Sequence, residues 1–132
     1  MQAHEMITSH PDVRGSTDDA LIRCIEECYS CAQVCTSCAD SCLAENMVKG
    51  LTQCIRVNLD CADVCNITGR LATRRTGSDD ELIRRMLHTC AAACRLCARE
   101  CDQHEHEHCR ICGEACRRCM QACEDAGCSM VH

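Results

Sequence analysis

Cysteines recur along this chain at alternating steps of four and three residues, flanked by alanines and separated by charged positions. That alternation is the seam period of an α-helix. Cys24, Cys28, Cys31, Cys35, Cys38 and Cys42 make one unbroken stripe. Cys90, Cys94, Cys97 and Cys101 make a second, and Cys109, Cys112, Cys116, Cys119 and Cys123 a third, with Cys128 beyond it. A sparser seam reads Met47, Leu51, Cys54, Asn58, Cys61, Cys65, Thr68. Ala32, Ala39, Ala91, Ala98, Ala115 and Ala122 lie beside the seams, where small side chains let helices approach closely. Glu26, Glu27, Asp40, Arg84, Arg95 and Arg117 mark the opposite faces.

The stripes predict four helices, at about 18–45, 47–73, 79–102 and 106–126, in one domain spanning 18–128. Ser16-Thr17-Asp18-Asp19 opens the first helix, with acids favoured at its positive end. Ser78-Asp79-Asp80-Glu81 reads as a capping box for the third, and Gly127 as the residue that ends the fourth. Short connections between helices of similar length imply antiparallel neighbours, so the expected fold is all-α, an up-down-up-down four-helix bundle with a Cys-lined core. Residues 1–17 form an N-terminal extension to which the pattern assigns no conformation. Aligning the turns places Cys42, Met47, Cys101, His104, His108 and Cys109 at one polar, ligand-rich end. Leu21, Ile83, Met86 and Leu87 plug the other end, with Cys24 and Cys128 nearby.

Composition changes the picture in one respect. Of 132 residues, 19 are Cys, and Val, Ile, Leu and Phe together total only 21. With a net charge of −6, so small an aliphatic share flags disorder unless the thiols themselves supply the core. Buried Cys does behave as a small apolar group. Acidic residues outnumber basic ones 20 to 14, which disfavours nucleic acid as a partner. No apolar run approaches a bilayer span, so no membrane partner is expected. The N-terminus, MQAHEMITSHPDVRG, has neither a positive n-region nor an apolar h-region. A cytosolic, reducing setting is therefore expected, and there a Cys-rich chain points to metal rather than to disulfides.

The spacing selects the metal. Eight C-x3-C pairs put two thiols on one helix face, about 5–6 Å apart at Cβ. Two sulfurs so placed suit a soft ion that accepts near-linear coordination, and Cu(I) is such an ion. Zn(II) wants four tetrahedral ligands, into which a continuous stripe does not divide. If each Cu(I) bridges two sulfurs and each sulfur two coppers, ion and Cys counts match and the core stays neutral. The expected load is thus roughly one Cu(I) per Cys. The five C-x2-C pairs arise automatically in such a stripe and are weak evidence for zinc knuckles, although thiolates are not exclusive. A metallothionein-like zinc or general soft-metal buffer is the alternative reading. An iron–sulfur carrier is a further one, disfavoured because the ferredoxin run of cysteines ending in Pro is absent. No catalytic constellation is present: nineteen thiols compete, and a nucleophile needs one singled out by its surroundings.

The seams CIEECYSCAQVCTSCADSC and HEHCRICGEACRRCMQAC resemble those of the four-helix-bundle copper-storage proteins, over essentially the whole chain. Lacking a twin-arginine leader, the chain is similar to the cytosolic, more Cys-rich branch. The resemblance implies a Cu(I) store filled through one open end, and a homotetramer; a copper chaperone is a candidate partner.

Some positions keep two readings. His104 and His108, four apart, extend the seams at the ligand-rich end and suit entry-site ligation; a solvated His-rich loop is the bland reading. His106 points elsewhere, toward solvent, and His4, His10, His88 and His132 read as surface residues. Asn58 interrupts a Cys seam, either to fix register or to bind the metal and its thiolates through its amide. Met47 is a soft thioether at the mouth or a core filler.

Overall fold

The structure is a computed structural model, and it describes residues 1–13, 15–77 and 80–130. The described residues contain five α-helices and no strand: α1 (Ala3–Thr8), α2 (Asp19–Leu43), α3 (Thr52–Ala72), α4 (Asp80–Cys101) and α5 (Glu107–Ser129), with a 3-10 turn at Val48–Leu51 before α3. Helices α2 to α5 form the bundle. Each touches two others: α2 packs on α3 and α5, and α4 on the same two. Diagonal helices meet through side chains in the middle, mostly thiols, with Asn58 of α3 reaching Cys112 of α5.

The ends of the helices follow from local chemistry. The Asp18 side chain accepts a hydrogen bond from the Leu21 amide at 3.1 Å and caps α2, as the acidic opening predicts. Gly77 takes φ +51 in the turn before α4, a conformation that glycine adopts without steric cost. Ser78 and Asp79 of the expected capping box lie outside the described residues. Two boundaries differ from expectation. The helix expected from 47 begins instead as a tight 3-10 turn, which changes the helical phase ahead of Thr52. At the other end of the chain, Gly127 does not stop α5. It keeps helical backbone, and the helix runs on to Ser129, whose hydroxyl donates to Asp18 Oδ2 at 2.8 Å.

The extension holds structure as well. α1 buries Ala3 and Ile7 against the bundle, and His10 Nε2 meets Thr76 Oγ1 at 3.1 Å. The apolar plug forms as expected from Leu21, Ile83 and Leu87, joined by Ile7, Ile22 and Ile25. Met86 is only half-buried there. Gly69 marks a close approach of α3 to α2, since a Cβ in its place would lie 3.1 Å from the Tyr29 ring.

Candidate metal centre

From the plug upward, the interior is a column of sulfur. Eighteen of the nineteen cysteines are buried, and none is in a disulfide. The exception is Cys128, which is exposed. It sits in the extra turn that α5 gains past Gly127, on the outside of the bundle, and so outside the column the sequence pattern gave it to.

Sulfur contacts connect the column from one end to the other. Nearest the plug, Cys24 Sγ lies 3.5 Å from Cys123 and 3.9 Å from Cys28. Cys28 reaches across the diagonal to Cys90 at 3.9 Å and lies 3.8 Å from Cys119. Cys65 continues the chain, 3.7 Å from both Cys90 and Cys94 and 3.8 Å from Cys61. Above it, Cys35 lies 3.6 Å from Cys112 and Cys116, 3.8 Å from Cys31 and 4.0 Å from Cys97. These are contact distances between thiols. An ion with bonds of about 2.3 Å to two sulfurs spans them at anything up to about 4.6 Å, so small rotamer changes suffice to admit it.

Asn58 is fully buried where α3 gives up a thiol. Its Nδ2 donates to the Cys54 carbonyl at 2.7 Å and approaches Cys54 Sγ at 3.3 Å and Cys101 Sγ at 3.8 Å. Its Oδ1 accepts from Cys112 at 2.8 Å and Cys97 at 3.4 Å. The amide is thus held by sulfurs of three helices. Beyond it lies the mouth. Cys38, Cys42, Cys109 and His108 bring their ligand atoms within 4.8 Å of one another. His108 Nδ1 is 3.4 Å from Cys38 Sγ and 3.6 Å from Cys109 Sγ.

The other mouth residues fall differently. His104 turns its Nε2 to Glu100 at 2.9 Å and remains partly buried. Met47 is 78% exposed; it precedes the 3-10 turn, so the phase that would aim it inward is lost. His106, read from the sequence as solvent-facing, stacks on His108 with ring centroids 5.3 Å apart, and its Nδ1 meets Glu45 Oε2 at 3.2 Å. The same oxygen lies 2.8 Å from His108 Nε2. Glu45 and His106 escaped sequence reasoning because they belong to no seam, and their pairing joins the ends of helices far apart in the chain.

Two thiols at the mouth are held protonated. Burial first, and then the charge of Cys54, push the Cys42 thiol up to about 11. Burial likewise raises Cys109 to about 12. Deeper in, hydrogen bonding within the network lowers some thiols, as the contact with Cys116 first lowers Cys31 and Cys61. Their neighbours Cys35 and Cys94 are raised, chiefly by bonding to Cys112 and Cys119 respectively. Protons in the column belong to the network rather than to single residues.

Fold and interior together define a class, a four-helix bundle whose core is a continuous column of thiols able to hold soft metal ions. The chain belongs to the copper storage protein family (Csp), whose model matches residues 17–127. It is similar to the copper storage protein Ccsp of Streptomyces lividans loaded with 10 copper equivalents, with TM-score 0.91 and 47% identity over 96% of this chain and 98% of that one. A five-copper structure of a cytosolic copper storage protein from the same organism matches with TM-score 0.82 and 52% identity, over 83% and 93%. Cu(I)-bound BsCsp3 matches with TM-score 0.71 and 34% identity, over 83% and 95%. Among curated proteins, the uncharacterized cysteine-rich protein YhjQ of Bacillus subtilis (strain 168) is 36% identical over 89 residues, or 67% of this chain and 79% of that protein.

Proposed function

We propose that this protein stores Cu(I) in the cytosol, at close to one ion per buried thiol, as multinuclear thiolate clusters. The observation that carries this reading is the overlap of the sulfur quartets. Cys31 and Cys61 belong both to a group with Cys65 and Cys94 and to one with Cys35 and Cys116. Cys35 and Cys116 belong in turn to the group with Cys97 and Cys112. Separate tetrahedral ions in adjacent groups compete for the same ligands, whereas bridging thiolates serve both. Charge favours the same choice. A Cu(I) that replaces one thiol proton leaves the dry core neutral, while a Zn(II) held by four thiolates leaves excess negative charge where it is expensive.

The eighteen buried cysteines are the proposed ligands, with Asn58 as an oxygen or amide partner midway. His108 and His104 receive the ion at the mouth. Met47 and Cys128 lie outside the column, and any contact they make with copper comes before entry or beyond the store. The cytosolic assignment is supported by the description of the Streptomyces relative. Among the described residues, no helix is long and apolar enough to cross a membrane. The homotetramer and the copper-delivering protein implied by the family resemblance are part of the same proposal.

Anaerobic Cu(I) titration of fully reduced protein against a chromophoric chelator, with Zn(II) present, tests it. Uptake is expected to approach one copper per buried thiol, with about one proton released per ion. Sedimentation on the same sample is expected to give a tetramer mass throughout. Saturation near one metal per four thiols, or displacement of copper by Zn(II), restores the soft-metal-buffer reading. A second experiment addresses entry. His104→Ala with His108→Ala is expected to slow uptake while leaving final capacity nearly unchanged; stopped-flow rates equal to wild type remove the histidines from the route.

A further inference from the structure

We propose that Glu45 is a positioning residue for copper entry: it fixes the tautomer of His108 and so keeps a bare Nδ1 turned toward the mouth sulfurs. The inference rests on the entry role proposed above for His108 and adds a residue that the thiol pattern does not reach.

A carboxylate only accepts hydrogen bonds. Glu45 Oε2 lies 2.8 Å from His108 Nε2, so that nitrogen carries the proton and, in the neutral ring, Nδ1 is left with its lone pair. Nδ1 is the atom facing Cys38 at 3.4 Å and Cys109 at 3.6 Å. In the empty protein a thiol donates to it; during filling it is a ready ligand for a soft ion. The opposite tautomer would place an N–H among the sulfurs, where the incoming ion has to sit. Carboxylates that orient a metal-binding imidazole in this way also raise its basicity.

Glu45 comes from the turn after α2, and the histidines come from the start of α5. His106 caps α5, its carbonyl accepting from the Cys109 and Arg110 amides at 3.0 and 3.1 Å. Its Nδ1 lies 3.2 Å from the same Glu45 oxygen, and its ring lies nearly parallel to that of His108, at 7°. The His108 ring is therefore held at its outer nitrogen, on one face, and at its inner nitrogen. Glu45 ties the first two of these restraints together. A ring free to rotate or to exchange tautomers would present Nδ1 to the sulfurs only part of the time.

Long-range proton–nitrogen NMR of the full-length, reduced, metal-free protein reads the tautomer directly. Nε2–H is expected for His108 in the wild type, and a mixture in Glu45→Ala. In stopped-flow transfer of Cu(I) from a chelator, Glu45→Ala is expected to slow uptake about ten-fold, the lower end of what loss of such a partner costs, at unchanged capacity. Glu45→Gln keeps an oxygen that accepts from Nε2–H and is expected to retain most of the rate. Combined with His108→Ala, the Glu45→Ala change should have no further effect. The proposal is overturned by Nδ1–H in the wild type, by a wild-type rate in Glu45→Ala, or by slowing that persists undiminished without His108. A wild-type rate in His108→Ala alone sinks the entry reading and with it the kinetic role of Glu45; the tautomer then stands or falls on the NMR result.

Discussion

Reduced, metal-free protein is expected to be helical already, and Cu(I) loading is expected to raise its thermal midpoint by about 20 °C or more. The first half of that result follows from the column itself. Neutral thiols at 3.5–4.0 Å from one another fill the centre of the bundle, and the aliphatic plug of Leu21, Ile22, Ile25, Ile83 and Leu87 closes one end. Cys packs as a small apolar side chain, so no ion is needed to satisfy the interior. The second half is mass action. Each ion that binds only the folded form, at free concentrations about a hundred times its Kd, adds about 2.7 kcal/mol. One kcal/mol moves the midpoint of a domain of this size by about 4 °C, where the ranges for smaller and larger domains meet. Two or three occupied sites already give the stated shift, and the column offers many more. Circular dichroism of protein with and without Cu(I), kept reduced and anaerobic, measures both halves. Low helix content before loading would mean that the tube is built by metal; an unchanged midpoint after loading would mean that the ions bind outside the fold.

The same column explains how much could be read from the sequence. A stripe of thiols every four and three residues has one simple physical solution, a helix face turned to a shared interior, and it set both the number of helices and the lining of the core. The interruption at Asn58 was legible for the same reason, since it falls on the stripe. What escaped lies off the stripes. The 3-10 turn at Val48–Leu51 changes phase without any sequence mark beyond Gly50, and Met47 goes out to solvent with it. Gly127 looks like a helix terminator, but the Ser129–Asp18 bond gives the last turn of α5 a tertiary partner, and no local rule foresees that. α1 docks through only Ala3 and Ile7, too few positions to show a period. Glu45 sits in a turn, and its partners are about sixty residues away, so its role is set by the closing of the bundle and not by spacing.

Asn58→Ala is expected to be the most damaging single change in the column. It is expected to cost the metal-free protein about 2–4 kcal/mol, from lost hydrogen bonds plus a cavity. The side chain is fully buried and serves four thiols and a carbonyl. Its loss takes from Cys97 and Cys112 their oxygen acceptor, leaving them the longer contacts to Cys35, and removes the amide that faces Cys54 and Cys101. Most thiols in the column have other sulfurs to fall back on, so Cys35→Ser, by comparison, is expected to be mild in the metal-free state. The two variants separate the roles that Asn58 can play. If it fixes register, Asn58→Ala lowers the urea midpoint while copper capacity holds. If its amide also completes a copper site, the variant loses capacity near the level of Cys54, Cys97, Cys101 and Cys112 as well, and asparagine alone restores it. Wild-type stability together with wild-type capacity in Asn58→Ala would show that a buried amide ringed by sulfur is a passive filler, and the column would then have to be read as thiols alone.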